Sequence, residues 1–316
     1  MPRADDLAGL GWHGFFEDQV EVGEADLLRL RIDGVHRSRM TGLSGGEQVA
    51  VELPPKTDTA EFAVGDWVLA DPLTRLLHRR LDRLTLLQRV GEGRKPTQLV
   101  AANVDTLFIV ASCNDDFNLA RLERYLAFAN EAGTEPVIVL TKADMAEDAA
   151  EFARQAAGLQ RDLAVVTVNG KSAEAAKDLQ AWCGAGTTLA IVGSSGVGKS
   201  TLVNTLIGSG ASQLTGAVRE GDSKGRHTTT ARSLHAMAGG GWVIDTPGVR
   251  SLHMKDLGLG LDMLFAEITE LAPLCKFRNC THDHEPGCAV LAAVKAGTLD
   301  ADRLTRWRKL QTESRG

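Results

Sequence analysis

The stretch Leu189-Ala-Ile-Val-Gly193-Ser194-Ser195-Gly196-Val197-Gly198-Lys199-Ser200-Thr201-Leu-Val-Asn-Thr-Leu206 decides the fold. An apolar strand-like run enters the pattern G-x-x-x-x-G-K-[ST], and a helix-like run leaves it. This is the context in which inward-facing backbone N–H groups hold a phosphate at a helix N-terminus. Gly193 to Ser200, with Thr201 beside them, are therefore the expected phosphate cradle. Lys199 is expected to reach the β/γ oxygens, and the Ser200 hydroxyl a Mg²⁺ ion.

Texture on either side of the loop sets the architecture. Upstream, Val104–Ala111, Pro136–Leu140 and Leu163–Val168 read as buried strands. Helical stretches alternate with them over 119–132, about 147–159 and near 172–183, and Gly133 supplies a stop to the first. Downstream, Trp242–Asp245 reads as a late strand. This is a doubly wound α/β unit with a mostly parallel sheet. Before about residue 95 the pattern is short alternating runs: Asp26–Ile32 ending on the hairpin signal Asp33-Gly34, then Glu47–Leu53, then Val64–Ala70. That pattern predicts a small antiparallel barrel, of which an OB-like barrel is one kind. Beyond about 262 the chain reads as helical, interrupted by a cysteine cluster.

Two further elements carry chemistry. Asp245-Thr-Pro-Gly248 closes a strand after the loop. An Asp there holds Mg²⁺, and Gly248 leaves its N–H free for a γ-phosphate. Thr141-Lys142-Ala143-Asp144 ends an earlier strand. A carboxylate at its last position can accept from both guanine N1–H and the N2 amino group, a donor pair adenine lacks. Lys142 would lie along the base. The base-reading element thus precedes the phosphate loop, the reverse of the usual GTPase order, and the chain reads as circularly permuted. Permutation keeps contacts in space while relocating the termini. In the polar segment Gly221–Arg232, Thr228 or Thr229 is expected to complete the Mg²⁺ shell. Val249 stands where many GTPases carry a water-orienting Gln, so unassisted hydrolysis is expected to be slow, and His227 is the local candidate for that task.

Cys275, Cys280, His282 and Cys288 offer three thiolates and an imidazole within a short span, with His284 a rival nitrogen. A closed Cys₃His set suits structural Zn²⁺. Of 316 residues, 43% are hydrophobic and 24% charged, with net charge −6, so a polyanionic partner must be met by local patches. Arg75, Arg79, Arg80, Arg83, Arg89, Arg94 and Lys95 form one basic stretch, and Arg303, Arg306, Arg308 and Lys309 another. No apolar run approaches the ~20 residues of a membrane span, and cysteine spacing does not suggest disulfides. A cytoplasmic monomer is the expectation.

In their order, Gln98–Asp105, Thr141–Asp144, Gly193–Ser200, Gly225–Thr230, Asp245–Arg250 and the Cys₃His cluster closely resemble the RsgA/YjeQ family of circularly permuted GTPases. The resemblance implies an N-terminal OB-fold over 1–97, a permuted GTPase domain over 98–261 and a zinc-binding, mainly helical domain over 262–316. It further implies action in late maturation of the small ribosomal subunit, rRNA contact, subunit-stimulated conversion of GTP to GDP, and a part in hydrolysis for His227. Two other readings stand beside it: a nucleotide-gated RNA-binding adaptor with negligible turnover, and an ATPase with an incidental T-K-A-D.

Overall fold

The computed structural model describes residues 7–89, 97–170, 172, 174–208, 233–245 and 257–315. Five strands form the first unit: β1 (Leu28–Val35), β2 (Met40–Ser44), β3 (Glu47–Val51), β4 (Trp67–Ala70) and β5 (Leu77–Arg80). β1 pairs antiparallel with β2 and β4, β2 with β3, and β4 with β5. A parallel bridge from Glu52 to Leu76 joins the end of β3 to the start of β5 and closes the ring in the order β1-β2-β3-β5-β4. The enclosed side chains are apolar, among them Leu30, Ile32, Met40, Val49, Val51 and Val68. The expected small barrel is therefore present, with the strand order of a closed Greek-key barrel.

The hairpin signal at Asp33-Gly34 misplaces the turn. β1 runs through it to Val35, with its register shifting between Ile32 and Gly34. Gly34 is needed for space, since a Cβ there would lie 2.7 Å from the Thr41 hydroxyl. The tight turn is instead Gly45-Gly46 between β2 and β3, with φ of 56° and 82°, the doubly positive backbone that a two-residue hairpin demands.

After a separate hairpin, β6 (Leu86–Arg89) with β7 (Gln98–Ala102), the chain enters the α/β unit. Its strands are β8 (Thr106–Ser112), β9 (Glu135–Thr141), β10 (Ala164–Thr167), β11 (Thr188–Gly193), β12 (Ser233–Ala236) and β13 (Trp242–Asp245), in the spatial order β10-β9-β8-β11-β13-β12. All pairs are parallel except β12 with β13. Every residue of β8 is buried, as expected for a strand covered on both faces. Gly34 of β1 pairs with Ser233 of β12, so barrel and parallel sheet form one hydrogen-bonded surface.

Helix α1 (Leu119–Glu131) is capped by the Asn118 side chain, which accepts from Arg121 N. It ends where Gly133 adopts φ 75°, a conformation glycine reaches without the Cβ penalty. Helix α2 (Ala149–Ala157) crosses from β9 to β10. The single helix expected near 172–183 is instead two short pieces, Glu174–Asp178 and a 3₁₀ turn at Gln180–Trp182. Helix α3 (Lys199–Ile207) follows the phosphate loop.

The C-terminal part comprises α4 (Gly258–Leu264), α5 (Ala266–Leu271), α6 (Ala289–Lys295) and α7 (Ala301–Arg315). α4 lies so close to α1 that a Cβ on Gly260 would fall 2.1 Å from the Ala127 carbonyl oxygen. α7 is tied to α1 through Glu123, which has no exposed surface and accepts from Arg303 (3.2 Å) and Arg306 (2.9 Å).

Candidate nucleotide site and metal cluster

The phosphate loop leaves the C-terminal end of β11, where open parallel sheets place their ligands. Gly193, Gly196 and Gly198 hold φ of 143°, 80° and 99°. At Gly193 a Cβ would lie 2.2 Å from the Val110 carbonyl oxygen on β8, so the loop's first glycine is required by both backbone and space. Val197 is buried and pegs the loop into the core beneath it. Ser195, Ser200 and Thr201 are exposed. Lys199 opens α3 and folds back over the loop. Its ammonium donates to the Gly193 carbonyl at 2.8 Å and to the Ser194 carbonyl. The lysine is thereby held over the cradle.

The second motif meets this loop directly. Thr141, the last residue of β9, is buried, and its hydroxyl donates to the Val197 carbonyl at 2.6 Å. Lys142 then turns the chain with φ 58°, ψ 28°, starting a 3₁₀ turn over Ala143–Met145 that leaves Asp144 exposed. Thr141–Asp144 and Gly193–Ser200 are thus neighbours in space despite their order in the chain. Asp245 closes β13 on the other flank of β11, with its backbone paired to Ser233. The side chain of Asp245, and His227, Thr228, Thr229, Gly248 and Val249 as a whole, lie outside what the structure describes.

Sequence reading missed Arg121 and Asp116. Arg121, in the first turn of α1, donates to the Ser194 hydroxyl and to both oxygens of Asp116, at 3.1 and 3.2 Å. The loop is therefore braced from outside itself. No spacing in the sequence announces this contact, because it joins a helix start to a loop far along the chain.

In the C-terminal part the four expected donors converge: the ligand atoms of Cys275, Cys280, His282 and Cys288 all lie within 4.8 Å of one another. Cys275 and Cys288 sulfurs are 3.8 Å apart, and His282 Nδ1 is 3.5 and 3.4 Å from them. A tetrahedral ion with Zn–S of about 2.3 Å and Zn–N of about 2.0 Å would give about 3.8 Å and about 3.5 Å, so the cluster fits zinc. Backbone N–H groups of Ala289 and Leu291 point at the Cys275 and Cys288 sulfurs, which favours thiolates. The rival His284 is exposed and pairs with Asp283. The remaining cysteines, Cys113 and Cys183, are buried elsewhere, and burial pushes the Cys183 thiol up to about 11.

Part of each basic stretch is paired within the protein. Arg79 donates to Glu24 (2.6 and 2.7 Å) and Arg83 to Asp66 (2.6 and 2.7 Å). Arg303 and Arg306 serve Glu123, and Arg308 donates to the His282 carbonyl. Arg94 and Lys95 fall outside the described residues. A basic segment not singled out from sequence, His36-Arg37-Ser38-Arg39, is exposed at the β1–β2 turn above a groove of about 590 Å³ along β2 and β3.

A family model described as RsgA GTPase matches residues 80–255. Among curated proteins, the small ribosomal subunit biogenesis GTPase RsgA of Mesorhizobium japonicum is 66% identical over 310 residues, 98% of this chain and 90% of that protein. The protein named small ribosomal subunit biogenesis GTPase RsgA 2 of Vibrio parahaemolyticus is 46% identical over 315 residues, 99% and 87% of the two chains. Among solved structures, YloQ, described as a circularly permuted GTPase, superposes with TM-score 0.64 at 25% identity, covering 93% of this chain and 96% of that one. YjeQ from Thermotoga maritima gives TM-score 0.65 at 24% identity, covering 91% and 98%, and shares the fold.

Proposed function

This chain belongs to the RsgA GTPase family, and on that premise we propose that Gly193–Ser200 and Lys142–Asp144 form one guanine-nucleotide site serving maturation of the small ribosomal subunit. The protein is a GTP hydrolase. The observation that carries the site assignment is the 2.6 Å bond from the Thr141 hydroxyl to the Val197 carbonyl, which joins the base-reading strand end to the phosphate loop.

In this reading the loop amides and Lys199 hold the β- and γ-phosphates, with Ser194, Ser195 and Thr201 around them. Asp144 accepts from the guanine edge and Lys142 lies along it. Mg²⁺ would be held by Ser200 and Asp245 together with Thr228 or Thr229, and would neutralise phosphate charge there. Gly248 would meet the γ-phosphate, and His227 would orient the attacking water. Cys275, Cys280, His282 and Cys288 would hold a structural Zn²⁺, stapling a segment otherwise too polar to fold.

The partner is the small subunit and its rRNA, met in the cytoplasm by a monomer. With Arg79, Arg83, Arg303 and Arg306 already paired internally, the exposed His36–Arg39 turn is the better rRNA-facing surface. Among the described residues no carboxylate pairs with Arg37 or Arg39, so their guanidinium groups can meet phosphates, and strand faces of such barrels bind oligonucleotides. The test is steady-state phosphate release from GTP with and without saturating small subunits. Stimulated turnover, lost in Lys199→Ala, is expected; turnover indifferent to the subunit would refute the proposal.

A further inference from the structure

We propose that Thr141 is a positioning residue that locks the base-reading turn to the phosphate loop and makes no contact with the base. The inference rests on the nucleotide site proposed above and assigns guanine discrimination to Asp144 rather than to the strand end before it.

A threonine hydroxyl has a single proton. Here that proton faces two main-chain carbonyls, Val197 at 2.6 Å and Ala111 at 3.2 Å, and the side chain is buried. Guanine presents acceptors at N7 and O6 on the edge a strand-end side chain could reach. Reading either one needs a donor, and Thr141 has none to spare. An asparagine carries two amide protons and could serve a loop carbonyl and a base acceptor together. Threonine keeps only the first of these duties.

The surroundings leave Thr141 no freedom to change partners. Its backbone carbonyl accepts from Cys113 N at 2.9 Å, and it is in register with Ser112 at the end of β8. Its Cβ, Cγ2 and Oγ1 stand 3.7–3.9 Å from where a Cβ on Gly198 would be. Gly198 is the residue before Lys199, so Thr141 packs against the point where the loop becomes helix. The residue after it, Lys142, adopts the left-handed conformation that launches the Asp144 turn. One buried side chain thus fixes the distance between the element that reads the base and the loop that holds the phosphates.

The experiment is isothermal titration of GDP and 7-deaza-GDP, in which N7 is replaced by C–H, into the full-length protein and into Thr141→Val and Thr141→Ser. The wild type should bind the two ligands within threefold of each other. Thr141→Val, matched in shape but without the hydroxyl, should weaken both about fivefold, the worth of one neutral hydrogen bond, and Thr141→Ser should recover most of that loss. A wild-type preference for GDP above threefold would overturn the inference. So would a Thr141→Val variant that melts lower yet binds GDP as tightly as the wild type, which is what a merely structural hydroxyl would give. If Thr141→Val does not fold, the wild-type comparison alone still decides. Failure of the wild type to bind GDP at all would instead strike the underlying nucleotide-site assignment, and looks different from every Thr141 outcome.

Discussion

Replacing Glu123 with Gln should loosen the C-terminal helix from the GTPase unit, and the structure sets the size of the effect. Glu123 has no exposed surface. Burial pushes its carboxyl up, while Arg306 and Arg303 pull it back. Arg306 Nε donates to both oxygens at 2.9 and 3.0 Å, and Arg303 Nη1 donates to one at 3.2 Å. The amide keeps the shape and one acceptor but turns an N–H₂ toward a guanidinium. Breaking a buried pair on one side costs about 3–5 kcal/mol. The low end applies here for two reasons. Arg303 keeps Glu267, the Leu264 carbonyl at 2.7 Å and the Phe265 ring, whose centroid lies 4.5 Å from its guanidinium carbon. Arg306 is 24% exposed and can take up water. A loss of about 3 kcal/mol corresponds to roughly 4–5 °C in Tm for a chain of 316 residues. Calorimetry measures it, and Glu123→Gln/Arg306→Met should lose less than the sum of the single variants, because the stranded cation is gone. A Glu123→Gln shift below about 2 °C would refute the claim that this carboxylate clamps the two parts together.

Further outcomes follow from other sites. Gly193→Ala would place a Cβ 2.2 Å from the Val110 carbonyl oxygen at φ 143°, so GDP affinity should fall at least about a hundredfold, and near-wild-type binding would contradict the loop geometry. Purified protein should carry one zinc per chain, measured by elemental analysis. Chelation or Cys288→Ala should expose the C-terminal segment to proteolysis, since structural zinc contributes on the order of 10 kcal/mol to folding; metal-free protein with an intact, protected segment would argue otherwise. The bonds from Arg79 hold the Glu24 carboxyl down from 4.5 to about 2. A depressed carboxylate stabilises the fold above its unfolded pKa, and that contribution disappears as pH falls through the folded value. The stability gap between wild type and Glu24→Gln should therefore be constant above about pH 5 and close between 4.5 and 2; a gap that persists at pH 2 would be inconsistent with this.

What was legible in the sequence was local. The phosphate loop, the strand before it and the helix after it are contiguous, and three glycines in that spacing have few other uses. β8, β9 and β13 stand out because parallel strands buried on both faces are continuous apolar runs. The Cys₃His cluster is readable because its four side chains fall within one short segment. What stayed hidden depends on partners far along the chain. Arg79, Arg83, Arg303 and Arg306 look like free positive charge until Glu24, Asp66 and Glu123 are brought beside them. Arg31 reads as an ordinary strand arginine. It is buried between barrel and sheet, where it donates to the Thr188 hydroxyl at 2.7 Å and burial holds its guanidinium down to about 10. Asp33-Gly34 has turn composition but serves as a bulge, because the hairpin is fixed by Gly45-Gly46 and by pairing across the sheet.

One guanine site shared by two motifs in shuffled order is tested most directly by exchanging the base edge against Asp144, the residue proposed to read it. In Asp144→Asn the side chain gains an amide donor and loses an acceptor, which suits the C2 carbonyl of xanthine and not the amino group of guanine. Competitive binding of GDP and XDP to wild type and Asp144→Asn should show GDP preferred by the first and XDP by the second. Unchanged GDP preference in Asp144→Asn would mean that Thr141–Asp144 does not meet the base and that the site has been drawn in the wrong place.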